Sequence, residues 1–88
     1  MILSSHFKDN WQVRVGGEPT EAQIEQLCRE SVVVQRARSL MMYDGTPFRT
    51  LTLFWHPEKK IVIKLDEFAG VAVSVLCADK RRMREGAV

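Results

Sequence analysis

His6 has the most chemistry within its reach, since an imidazole with an ordinary pKa of about 6.5 exchanges protons at neutral pH and can act as general acid or base. A lone histidine on the flank of a short helix is more commonly a surface or hydrogen-bonded core residue. His56 opens His56-Pro57, a position that suits a solvated loop. Asp66-Glu67 can supply a base or a metal ligand, but carboxylates ahead of a Gly-containing reversal usually serve the turn. The chain has no Gly-rich phosphate loop, no Gly-x-Ser-x-Gly elbow and no paired-histidine motif, which disfavours the hydrolase and nucleotide-binding classes that carry them. Cys28 and Cys77 lack zinc-site spacing and read as buried reduced thiols. No residue pattern calls for a cofactor or a bound metal.

The elements that must position such groups are two helices and then strands. Ser4 or Ser5 can cap a first helix running to about Val15, where Gly16-Gly17 ends it. Phe7, Trp11 and Val15 form its apolar stripe, and His6, Asn10 and Arg14 the stripe beside it. Thr20 with Gln23 has the capping-box spacing and opens a second helix ending near Glu30 or Ser31, with Ile24, Leu27 and Cys28 on one face.

From Val32 the period becomes two and β-branched residues dominate. The alternation predicts strands at 33–41, 48–55, 61–66 and 71–76, joined by short Gly-, Pro- or Asp-containing turns. The expected fold class is therefore α+β, with two N-terminal helices packed on one face of a four-stranded antiparallel β-meander. Pairing Trp55 with Ile61, Leu53 with Ile63 and Leu65 with Val71 gathers the largest apolar groups on the helix side. By parity the opposite face carries Thr50, Thr52, Phe54, Lys64, Asp66, Ala72 and Ser74, together with Arg36 and Arg38. An open sheet face with cations, hydroxyls and an aromatic is a reasonable ligand surface.

Length and charge limit the alternatives. Eighty-eight residues make one domain with a small core, placed at 1–77, followed by a basic tail at 78–88. Residues 1–77 balance nine Lys/Arg against nine Asp/Glu, so the net charge of +2 belongs to the tail, expected to be a frayed, solvated terminus. A globally positive field for nucleic-acid steering is absent. No stretch approaches the ~20 apolar residues of a membrane span and the start lacks a signal-peptide pattern, so the expected location is the cytoplasm and no membrane partner is expected.

The order His6, Arg14, a capped second helix and a meander ending Val71-Ala72-Val73-Ser74-Val75-Leu76 resembles the superfamily of barnase, EndoU, colicin ribonucleases and RelE-type toxins. Ser74 and Leu76 depart from the threonine and aromatic usual there. The resemblance implies metal-independent RNA cleavage on the open face, with His6 as acid or base, Arg14 stabilising phosphate charge and Ser74 positioning substrate. Arg36, Arg38 and Lys64 would hold backbone phosphate and Phe54 would stack a base. Weighed against the neutral body, the expected function is a non-catalytic binding module of this ribonuclease-toxin-like fold, taking RNA or a protein partner such as a cognate antitoxin. The alternatives are the ribonuclease itself and an oligomeric structural protein.

Overall fold

The two-residue strand β1 (Ile2–Leu3) leads into Ser4, whose extended backbone and hydroxyl, accepting the Phe7 N–H at 3.0 Å, start α1 (Ser5–Arg14) in the computed structural model, which describes residues 1–77. The Trp11 carbonyl accepts the N–H groups of Val15 and Gly16, both at 2.8 Å. Gly16 and Gly17 then take φ values of 103° and 79°, left-handed geometry that stops the helix. Thr20 accepts the Gln23 N–H at 3.1 Å and opens α2 (Glu21–Arg29), capped by Glu30. Val15, expected to extend the stripe of Phe7 and Trp11, is exposed because it lies at the cap, beyond the last helical residue.

The strands that follow are β2 (Val32–Gln35), β3 (Ser39–Met41), β4 (Pro47–Arg49), β5 (Thr52–His56), β6 (Ile61–Asp66) and β7 (Val71–Cys77). They do not make a four-stranded antiparallel meander. A five-stranded mixed sheet runs in the order β1-β7-β6-β5-β2, with β1 parallel to β7, and β3 and β4 form a separate two-stranded ribbon. The extra strand, Ile2–Leu3, is too short to show a period. The predicted strands 33–41 and 48–55 each break in two because threonine hydroxyls take the amides that would continue the ladder. Ala37 donates its N–H to Thr52 Oγ1 at 3.0 Å and Arg38 its N–H to Thr50 Oγ1 at 2.8 Å. A bulge between Val33 and Gln35 adds to the break, and the β3–β4 ribbon leaves the sheet as an arm carrying exposed Leu40, Met41, Met42, Tyr43 and Phe48.

Register moves one strand to the other face. His56, Phe54 and Thr52 stand opposite Ile61, Ile63 and Leu65, whereas Trp55 and Leu53 stand opposite Val62 and Lys64. Relative to the predicted pairing β5 is shifted by one residue, which exchanges its two faces. The cause is the turn: Pro57–Lys60 forms a four-residue loop, closed by the Lys60 N–H to His56 carbonyl bond at 2.7 Å, so His56 belongs to the strand. A second bulge, between Lys64 and Leu65, places Ala72 opposite Leu65 and so on the core side, with Val71 opposite Asp66. Ile63 pairs with Val75 and Ile61 with Cys77.

Leu3, Phe7, Trp11, Ile24 and Leu27 form one buried cluster with Ile61, Ile63, Ala72 and Val75, and Phe54 and Leu65 pack against it. Burying side chains of this size contributes roughly 1.5–3 kcal/mol each before chain entropy is counted. Among the described residues no helix is long and apolar enough to cross a membrane.

Candidate functional site

The seam between α1 and β7 gathers three of the residues singled out in the sequence. Asn10 Oδ1 accepts from Arg14 Nη1 at 3.0 Å and from the Ser74 hydroxyl at 2.9 Å, and Arg14 Nη1 also donates to the Val75 carbonyl at 2.8 Å. Lys64 stands directly opposite Ser74 across the β6–β7 ladder. His6 lies one helical turn before Asn10 and is exposed, its imidazole hydrogen-bonded to none of the other described residues. Asn10 joins Arg14 to Ser74; the sequence placed it on the right helical stripe, but nothing in it marked the amide as the hub.

The same contacts seal a sheet edge. β1 covers the first residues of β7, the Ile2 and Ser4 amides donate to the Gly70 and Ala72 carbonyls, the Ser4 hydroxyl to Val73 at 3.3 Å, and Arg14 to Val75. Arg14 thus satisfies an edge carbonyl that would otherwise invite another strand. Among the described residues its other guanidinium N–H groups meet no acceptor.

The remaining site residues lie elsewhere. Arg36 pairs with Glu67 at 3.3 Å, and the Glu67 carboxylate also accepts the hydroxyl of the buried Thr52. Arg38 sits in the hinge of the arm. Phe54 packs against the core on the face of Ile63, so it is not available to stack a base on the opposite face. Asp66 pairs with Arg49 at 3.6 Å and accepts the Ala69 N–H at 3.1 Å, the turn role expected of it.

What fills the face away from the core is apolar. Directly opposite residues in a ladder share a face, so Val32, Trp55, Val62 and Leu76 form a row across four strands, and Gln35, Leu53, Lys64 and Ser74 form the next. Val32 is 56% and Leu76 39% exposed, and Trp55 and Val62 are half-buried. The signal was present in Thr52-Leu53-Phe54-Trp55, where either alternation carries large apolar groups.

His56, read in sequence as a solvated loop residue, is 3% exposed. Its Nδ1 accepts the Lys59 N–H at 3.0 Å and its Nε2 meets Glu30 Oε1 at 2.9 Å, so both ring nitrogens are satisfied. That bond, with a second from Gln26, holds the Glu30 carboxyl below its ordinary pKa. Cys28 and Cys77 are free thiols, each half-buried and not fully enclosed. Burial first, and the Glu25 charge second, push the Cys28 thiol up to about 11. No protein-family model, curated protein or solved structure matches this chain.

Proposed function

We propose that this protein is a non-catalytic binding module that docks a protein partner on the sheet face away from the core. The observation that carries this reading is the cross-strand row Val32, Trp55, Val62 and Leu76, a half-exposed apolar stripe centred on a tryptophan. Exposed apolar patches with a polar rim favour protein contacts, and aromatic residues dominate such interfaces. Lys64, Ser74 and Gln35 supply the rim. RNA is the weaker ligand for this face, because Lys64 is its one cation on the two rows and Phe54 packs on the other side. The helices give Phe7, Trp11, Ile24 and Leu27 to the core face, and α1 reaches the outward row only at its β7 edge, through the Asn10 to Ser74 bond.

A photo-crosslinking amino acid placed at position 76, in the same row as Trp55, with a control at exposed Gln12 on α1, tests this in cells of the source organism. A defined protein adduct specific to position 76 is expected; RNA adducts there, or the same adducts at both positions, would overturn the reading.

A second reading has its own observation. The Asn10, Arg14 and Ser74 cluster with His6 one turn away keeps together the acid or base, the phosphate-binding group and the hydroxyl of a metal-independent ribonuclease of the resembled superfamily. RNA degradation abolished by His6→Ala would favour it over docking.

A further inference from the structure

In the seam between α1 and β7 the nitrogen donors outnumber their acceptors. Asn10 Oδ1 takes hydrogen bonds from both Arg14 and Ser74, which uses its two lone pairs and leaves the carboxamide N–H groups as its free end. Those N–H groups meet no acceptor among the described residues, and neither do the Nη2 and Nε hydrogens of Arg14, whose Nη1 is spent on Asn10 and the Val75 carbonyl. Lys64, directly opposite Ser74 on the outward face, has no hydrogen bond or ion pair from its side chain to the other described residues. Asn10, Arg14, Lys64 and Ser74 are all half-buried, and the bonds among Asn10, Arg14 and Ser74 fix three of them in place. The nearby carboxylates are committed or turned away. Asp66, two residues along β6 from Lys64, pairs with Arg49 and the Ala69 amide, and exposed Asp9 sits about 100° round α1 from Asn10.

A fixed set of donors that includes two cations is complementary to a group that only accepts. An ionised carboxylate is such a group, and its hydrogen bonds from Arg and Lys are short and strong. Ser74 and Lys64 lie two residues before Leu76 and two after Val62, about 7 Å along their strands, so the donors adjoin the apolar row. A single extended segment meets both when an acidic residue and a large apolar residue stand two apart on it. A polyanion such as RNA finds no comparable attraction, because residues 1–77 are electrically neutral and the two outer rows hold one cation.

We propose that the protein partner docked on this face carries an aspartate or glutamate whose carboxylate seats among Asn10, Arg14 and Lys64, two residues from the apolar side chain that covers the row. This names the chemistry of the partner and rests on the docking reading of the sheet face.

Amide chemical-shift titration of the full 88-residue chain with the capped pentapeptide acetyl-Thr-Leu-Thr-Glu-Thr-amide, and with its glutamine counterpart, tests it. The glutamate peptide should shift the amides of Asn10, Lys64 and Ser74 together with those of Val62 and Leu76, and should bind about tenfold more tightly than the glutamine peptide. Lys64→Gln, which removes no polar contact within the described fold, should abolish most of that difference. Equal affinities for the two peptides overturn the proposal. So do seam amides that ignore the glutamate peptide, or that respond more strongly to hexauridylate, which would give the donors to phosphate. The docking reading is decided separately by the adduct at position 76: a protein adduct there that Lys64→Gln leaves unchanged would keep that reading and remove this proposal.

Discussion

Trp55 stands directly across from Val62 on the face of the sheet turned away from the buried cluster, while its neighbour Phe54 stands across from Ile63 on the core side. The pair gives an 88-residue chain a second apolar surface that its core does not use. Cross-strand pairs of this kind contribute about 0.2–1 kcal/mol. Trp55→Thr should therefore lower stability by no more than about 1 kcal/mol in urea unfolding while abolishing the position-specific partner adduct; a loss several times larger would make Trp55 a core residue.

Arg14 is the residue for which structure and catalysis predict different outcomes. As the donor to the Val75 carbonyl and Asn10, it should cost about 1.5–3 kcal/mol when replaced by alanine. Arg14→Met, keeping the aliphatic stem, should recover little of this. An unchanged unfolding midpoint in both variants would show that the edge is sealed without it.

Thr52 holds the hinge of the arm. Thr52→Val keeps its shape but leaves the Ala37 amide and the Glu67 carboxylate without the hydroxyl, a loss of about 1–3 kcal/mol. The β3–β4 amides should also exchange faster in this variant, and equal exchange in both proteins would detach the arm from this contact.

Acid should expose the Glu30–His56 pair. The Glu30 carboxyl lies below its ordinary value in the folded protein, so the stabilisation is complete above the unfolded value of about 4.3 and is lost as pH falls through the folded one. The difference in melting temperature between wild type and Glu30→Gln should shrink as pH drops below that range; a constant difference would remove the pair from the pH response.

The Cys28 thiol, raised to about 11 by burial, should resist alkylation in the folded protein near pH 8, where about a thousandth of it is thiolate. Adding urea should accelerate its modification, and equal rates in folded and unfolded protein would contradict the burial.

The helices were legible in the sequence because caps are local: Ser4, Thr20 and Gly16-Gly17 act within a few residues of themselves. The strand faces were not, because both alternations through 51–56 are apolar enough to be buried, and the choice between them is made by the Pro57–Lys60 turn together with polar contacts from distant segments. His56 bonds Glu30 and the Thr52 hydroxyl oxygen accepts the Ala37 N–H, so two polar side chains point to the core side while Leu53 and Trp55 turn away. The edge role of Arg14 was equally hidden, since it depends on a two-residue strand with no period to read. Of the predicted site, the stripe of Asn10 and Arg14 followed from spacing alone, whereas the Ser74 hydroxyl, expected on an open face, is taken by Asn10 of α1.

The β5–β6 register is the relationship on which the docking face rests, and nuclear Overhauser contacts across that ladder in the unaltered protein measure it most directly. Cross-strand contacts of Trp55 with Val62 and of Phe54 with Ile63 are predicted. Contacts of Trp55 with Ile61 and of Leu53 with Ile63 would return the tryptophan to the core, and the apolar row would cease to exist.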